Sequence, residues 1–295
     1  MSKKHNSIFI KSPLNYIGGK YKILSQIIPL FPKEIDCFVD LFTGGGNIGI
    51  NINAKKIILN DNLVYLIDLY KLFQKMSIED ILNYINKQIN TYNLSLTNVE
   101  GYKNIRNFYN KTKNPLDLFV LISYSFNHQI RFNNNHDFNN PFGKERSHFN
   151  SSIKNNLENF IQALKNKNIE LYAKKFDEFD FTKLNGNDFV YCDPPYLITT
   201  GTYNDSKRGF TGWGLIEENM LLTILKKLDN NNIKFALSNV LEHKGKSNNI
   251  LKEWLKKNEH FIVTNINMNY SNSNYQTKIK NKMTTQEVLI TNYLP

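Results

Sequence analysis

Cysteine is almost absent from this 295-residue chain. Cys37 and Cys192 are the only two, and neither has another Cys or a His at metal-ligand spacing, so a disulfide framework and a zinc site are both excluded. Each lies in an apolar, strand-like stretch and reads as a buried thiol of a reducing, cytoplasmic protein. Long apolar runs are absent too. Residues 1–7 are polar and carry lysine, and no stretch of secretory or membrane-spanning length follows, so neither a targeting segment nor a membrane partner is expected. Acidic residues are in deficit: 37 Lys and Arg face 26 Asp and Glu, a net charge of +11. That balance suits a polyanionic partner, because cations that neutralise phosphates release counterions. Lys, Asn and Ile are spread along the whole chain, as an AT-rich genome produces, so only part of the excess is read as a binding face. What is plentiful is apolar residue, at 41%, enough for one large or two medium domains with a real core.

Apolar runs at 37–41, 56–59 and 188–192 each end in a loop with Gly, Asp or Pro, and helical patterns are expected after the first two. Further strands are expected at 234–238, 260–265 and 286–291, with amphipathic helices at 215–228 and 246–256. Between about 66 and 168 the pattern turns helical, as at 78–89, 102–109 and 116–125, followed by polar residues, aromatics and Arg. This stretch reads as an inserted domain. The segment 197–214 holds four Gly with Tyr203, Arg208, Phe210 and Trp213. It is long for an idle connection and is expected to be a mobile, substrate-clamping loop.

The first constellation with chemistry in it is Phe38-Val39-Asp40-Leu41-Phe42-Thr43-Gly44-Gly45-Gly46-Asn47-Ile48-Gly49. A strand running into a glycine turn lets backbone approach a nucleotide-like ligand closely. Gly44, Gly46 and Gly49 match the dinucleotide fingerprint, and Asp61, after the next strand, can accept from ribose hydroxyls. The bland alternative is a tight turn with no ligand. Asp40 separates the cofactors: a carboxylate there repels a pyrophosphate but suits the cationic amino group of a methionine moiety. The loop therefore favours S-adenosylmethionine.

The second is Asp193-Pro194-Pro195-Tyr196, directly after Phe189-Val190-Tyr191-Cys192. Two prolines stiffen the turn and remove two backbone donors, leaving the Pro194 carbonyl and the Asp193 carboxylate as acceptors. An exocyclic amine offers two N–H groups. Accepting both makes its lone pair available to a sulfonium methyl, while Tyr196 offers a face to a flipped-out base. A lone Asp-Pro-Pro is more often a turn closing a strand, but joined to Tyr196 and the glycine loop the functional reading is preferred. The third is Asn15-Tyr16-Ile17-Gly18-Gly19-Lys20. It is not a Walker loop, since Tyr21 stands where Ser or Thr is required and Leu14 where the first Gly belongs. By itself it is a helix start with a solvated lysine.

These three elements, in this order, resemble the adenine-N6 DNA methyltransferases of the Dam type, the D12 class, across nearly the whole chain. The resemblance implies that Asp193, Pro194, Pro195 and Tyr196 bind the target adenine. It implies that Gly44 to Gly46 hold the methionine part of the cofactor, that Asp61 binds its ribose, and that Tyr16 and Lys20 contact it. Asp40 and Asp193 are added to the cofactor set. Family members often have Trp where this chain has Tyr16. The stretch from Tyr124 to Lys144 also resembles the family's DNA-contacting hairpin. There Arg131 suits guanine, Asn127 and Asn133 suit adenine edges, and Lys144 suits phosphate; for His128 and Asn133 a purely structural role is equally expected.

The implied fold is a Rossmann-like α/β methyltransferase sheet, residues 1–65 and 169–295, with an inserted, mainly helical DNA-recognition domain at 66–168 containing a β-hairpin. The implied partner is double-stranded DNA, and the oligomeric state stays open. No metal is required. A thiolate mechanism at cytosine C5 is set aside, because Cys192 precedes the Asp-Pro-Pro turn and should point into the sheet. A cytosine-N4 methyltransferase uses the same acceptor chemistry and stays open, although Asp at position 193 leans toward adenine in the families resembled. A DNA-binding module on an inactive methyltransferase fold is the reading from another class, opposed by intact Asp193, Tyr196, Asp61 and Lys20.

Overall fold

The chain is described from a computed structural model, which covers residues 9–199, 212–267 and 285–295. The polar residues 1–7 and, within the expected clamping loop, Tyr203, Arg208 and Phe210 lie outside the described residues.

Strands β1 (Cys37–Asp40), β2 (Lys56–Asn60), β3 (Ile169–Tyr172), β4 (Phe189–Cys192), β5 (Lys234–His243), β6 (Lys246–Ser247), β7 (Ile262–Ile266) and β8 (Thr285–Thr291) form one sheet. Its order is β3-β2-β1-β4-β5-β8-β7, with β6 paired to β5. The β3-to-β5 half is parallel, and β5, β8 and β7 pair antiparallel. The central parallel strands β1, β2 and β4 are mainly apolar and buried because both faces are covered. Their two-residue period divides the core. Phe38, Ile57, Leu59, Phe189 and Tyr191 face one layer; Val39, Ile58, Val190, Cys192 and Phe235 face the other. The first layer is built by α1 (Leu24–Ile27), α2 (Val64–Lys75), α3 (Ile78–Thr91), α4 (Val99–Thr112), α5 (Pro115–Tyr124) and α6 (Ser151–Asn166), which share one core cluster with the sheet. The second layer is α7 (Leu215–Asn230) and α8 (Asn249–Lys256). Helix starts follow side-chain chemistry: Ser77, Asn98, Asn114, Asn150 and Asn248 each accept a first-turn N–H.

Three expectations are corrected. The helix expected after β1 is a single 3-10 turn, Gly49–Asn51, because Ile50 and Ile52 are needed in the core rather than along a helix face. The helix expected from 246 starts at Asn249, Lys246–Ser247 being taken by β6. The strand expected at 234–238 runs on to His243, where β8 continues to pair with it across a bulge.

The end of α7 nearest the cavity described below is tied down by a buried carboxylate. Glu218 accepts from Trp213 Nε1 (2.7 Å), Asn248 Nδ2 (3.1 Å) and Asn239 Nδ2 (3.2 Å). Glu218→Ala strands three buried donors and should cost about 3 kcal/mol or more of stability. Urea denaturation measures this, and an unchanged midpoint would show that the network relaxes onto other partners.

Candidate active site

The strand order reverses between β1 and β4, and in such sheets the crevice at the carboxyl ends of the two diverging strands is the binding position. Three acids meet there by topology. Asp40 ends β1, Asp61 follows β2, and Asp193 follows β4.

Each acid is held differently. Asp40 is 1% exposed and its Oδ2 accepts from the Gly49 N–H at 3.2 Å, so it supports the turn from beneath. Asp61 takes the N–H of Gly44 (2.8 Å) and of Leu63 (2.9 Å), bridging the glycine turn to the entry of α2. Tyr70 fastens the same turn by donating to the Gly44 carbonyl at 2.8 Å. Gly44 needs its glycine twice: φ is +48°, and an added Cβ would lie 2.9 Å from the Tyr16 ring. Asp193 is the acid most open to solvent, and both its oxygens are engaged: Lys20 Nζ lies 2.9 Å from Oδ2, and the Tyr196 hydroxyl donates to Oδ1 at 2.9 Å.

Lys20 opens a short 3-10 turn and is 4% exposed. Its ammonium also donates to the Gly18 carbonyl at 3.0 Å, lies 3.7 Å from Glu287 Oε1, and stands 5.1 Å from the centre of the Tyr196 ring. A buried ammonium is tolerable only among such partners. Even so, negative charge is in excess. Burial, reinforced by the charge of Asp193, pushes the Asp40 carboxyl up to about 8. Burial likewise raises Asp61, and raises Asp193 against the opposing pull of Lys20. A ligand carrying positive charge would relieve all three.

A cavity of about 610 Å³ opens over these groups. Tyr16, Lys20, Gly44, Asp61, Asp193, Pro194, Pro195 and Tyr196 all line it, so most residues picked from the sequence are gathered at one place. Two of the cofactor set are not on its wall. Asp40 borders a narrow adjoining cleft of about 60 Å³. Gly46 turns its Cα toward the core, where an added Cβ would meet Phe160 at 3.1 Å, and its φ of +73° marks a turn-former. Cys192 points into the second core layer.

The expected DNA contacts lie on the segment whose Ile130 reaches the cavity wall. Asn127 is exposed at φ +54°, and its carbonyl accepts from Asn15 Nδ2 at 2.8 Å, joining this segment to the N-terminal motif. Arg131 is half-buried, its Nε without a hydrogen-bond partner among the described residues. Asn133 Oδ1 accepts from the N–H groups of Asn135 and Asp137, both at 2.9 Å, so its carbonyl is occupied in shaping the loop. Lys144 is exposed, 3.8 Å from Glu145.

Sequence reasoning missed two features. One is an aromatic wall: Phe42, Phe176 and Trp213 pack mutually at 5.3 to 5.6 Å. The other is Glu287, on β8. Among the described residues no group of His, Cys, Asp and Glu is arranged to hold a metal ion, and no helix is long and apolar enough to cross a membrane.

Residues 16–282 match the family described as D12 class N6 adenine-specific DNA methyltransferase. The chain belongs to this family. It is 52% identical over 293 residues to the type II methyltransferase M.FokI of Planomicrobium okeanokoites, covering 99% of this chain and 44% of that one. It is 50% identical over 285 residues to the modification methylase StsI of Streptococcus sanguinis, covering 97% and 43%. With the DNA adenine methylase of Escherichia coli K12 it shares 27% over 240 residues, covering 80% and 81%. The chain therefore spans less than half the length of the first two relatives.

The buried acids give this family member a testable pH dependence. Asp40 moves from 3.8 to about 8 on folding, so between those values the folded state holds the extra proton and stability falls as pH rises. One such group contributes up to about 1.4 kcal/mol per pH unit, and the raised Asp61 and Asp193 act in the same direction. The melting temperature should drop from about pH 5 to about pH 8. Asp40→Asn, which can still accept from Gly49, should flatten that drop; equal slopes would place the proton elsewhere.

Proposed function

We propose that this chain transfers a methyl group from S-adenosylmethionine to the exocyclic N6 amine of an adenine in double-stranded DNA. The observation that carries the proposal is the Asp193-Pro194-Pro195-Tyr196 turn at the end of β4, sharing one cavity with the glycine turn at the end of β1. Family membership supports the same chemistry.

The cofactor fits the charge of the site. Three carboxyls, the buried Asp40 and Asp61 and the half-buried Asp193, are held above their ordinary range, and a sulfonium with an ammonium is the kind of group they would favour. Tyr16, Lys20, Gly44 and Asp61 would hold it, with Asp40 and Gly46 supporting the turn from below. When bound, the sulfonium supplies an activated methyl group. The work of the protein is to place and activate the amine. Asp193 and the Pro194 carbonyl accept its two N–H groups, which frees the nitrogen lone pair; Asp193 stabilises the positive charge that develops there, and the surplus amine proton leaves along its hydrogen bond to that carboxylate. Tyr196 stacks on the base. A base within the duplex is paired and stacked, so it must first leave the helix, and stacking on the ring returns about 1–3 kcal/mol of that cost.

We assign target recognition to 66–168 and cofactor binding to 1–65 with 169–295. Antiparallel bridges Phe132–Phe138 and Ser125–Phe142 support a short hairpin in the recognition segment. Arg131 would read a base edge, Asn127 and Asn133 would contribute amides, and Lys144 would meet phosphate.

The test is modified-base sequencing of DNA from a methylation-free host that expresses the chain. N6-methyladenine in one sequence context is expected; N4-methylcytosine, or no mark, would overturn the proposal. Asp193→Ala should abolish the mark while leaving affinity for S-adenosylmethionine within a few-fold, because most of the cofactor's contacts would come from Tyr16, Lys20, Gly44 and Asp61, whereas activation of the amine depends on this carboxylate. Calorimetric titration measures that affinity.

A further inference from the structure

Glu287 belongs to none of the motifs above, yet it contacts Lys20 and Tyr196, both on the cavity wall. It is 3% exposed on β8, and its cross-strand neighbours, Val240 on β5 and Ile266 on β7, are apolar. A carboxylate in such a place is costly unless its partners compensate. Its Oε1 receives the Tyr196 hydroxyl at 3.1 Å and lies 3.7 Å from the Lys20 ammonium. Those same two donors engage the two oxygens of Asp193, each at 2.9 Å. Two carboxylates therefore share one ammonium and one phenol. A phenol has a single proton, so the Tyr196 hydroxyl serves one carboxylate at a time.

We infer that Glu287 is a positioning residue for methyl transfer: by sharing the Lys20 ammonium and the Tyr196 hydroxyl with Asp193, it leaves the Asp193 carboxylate open to the N–H of the target amine. The inference rests on the methyl-transfer reading of the site. As the amine approaches Asp193 Oδ1, the Tyr196 O–H turns to Glu287 by rotation about its C–O bond alone, and the ring stays in place as a stacking floor. Without Glu287 both donors would stay committed to Asp193, drawing charge from its oxygens and weakening it as an acceptor.

Charge works in the same direction. Asp193 is faced by Lys20 from the N-terminal 3-10 turn, Tyr196 from its own loop, Glu287 from β8, Asp40 from β1, and Tyr191 and Cys192 from β4. Burial raises its pKa most, Lys20 opposes that rise, and Glu287 adds to it. Removing the Glu287 charge must therefore move the ionisation of Asp193 to lower pH.

Single-turnover methylation tests this, with radiolabelled S-adenosylmethionine and genomic DNA from a methylation-free host, over about pH 5.5 to 9. Glu287→Gln keeps the shape and removes the charge. It should lower the plateau rate about tenfold, leave cofactor affinity within about twofold by calorimetry, and shift the acid limb to lower pH. A plateau at the wild-type value, or a lowered plateau with the acid limb unmoved, would overturn the positioning role. Should Glu287→Gln fail to fold, Glu287→Asp serves, since its withdrawn carboxylate should lower the plateau about threefold or more and shift the limb the same way; a wild-type profile overturns the inference. Wild-type labelling with a dead Asp193→Ala and an unaffected Glu287→Gln would sink the Glu287 role alone, whereas no labelling by wild type would sink the methyl-transfer reading with it.

Discussion

A buried ammonium among buried carboxylates is the interaction on which the rest of this site depends. Lys20 is 4% exposed and within 4 Å of both Asp193 and Glu287, so it ties together three parts of the chain that are far apart in sequence. Its own turn precedes the first strand, Asp193 follows the fourth, and Glu287 sits on the last. Removing one partner from such a cluster leaves an uncompensated charge, which costs more than the net worth of the contact. The Tyr196 ring beside Lys20 shares this constraint, since its hydroxyl is fixed by the same two acids.

The backbone makes that cluster possible. Parallel strands turn the same end toward the crevice, so residues that follow β1, β2 and β4 converge without long-range design. The antiparallel β8 then brings Glu287 to the crevice from the opposite direction. Asp61 and Tyr70 clamp the glycine turn at its N–H and its carbonyl, so the loop is fixed by side chains from elements outside it. That pre-organisation lowers what any ligand must contribute to ordering.

How much of this was legible in the sequence follows from the range of each interaction. The Asp193 turn and the glycine turn were readable because their chemistry requires contiguous residues at a strand end. Glu287 was not, because its partners are 91 and 267 positions away; the available signal was a lone acid preceding Val288, Leu289 and Ile290. Strand β3 was missed because it is a four-residue edge strand, mostly half-buried, and with it went Phe176, a few residues beyond its end. The helix wrongly expected after β1 shows the reverse error, in which apolar spacing over a few residues fits a helix face and a buried 3-10 turn equally well. Asn133 shows a third kind: an amide suited to reading bases is also suited to closing a loop, and here its carbonyl does the latter.

Opposite charges at two length scales make sense of a basic protein with an acidic crevice. The chain carries a net +11, which acts over the whole surface and favours a polyanion at encounter, within a screening length of about 8 Å at physiological salt. In the crevice the balance inverts: the buried Lys20 faces both Asp193 and Glu287, with Asp61 on the same wall, while the wall's other charged groups, Lys174, Lys175, Asp177 and Glu217, cancel in sign. A phosphate drawn to the surface is therefore repelled from the depth of the crevice, where burial leaves the carboxylates poorly screened. A small cation is attracted by the same poorly screened charge, which offsets the cost of its own desolvation. On the proposed reading the duplex is thus held outside by its backbone, only an extruded neutral base enters, and the cationic methyl donor and the polyanionic substrate do not compete for one place.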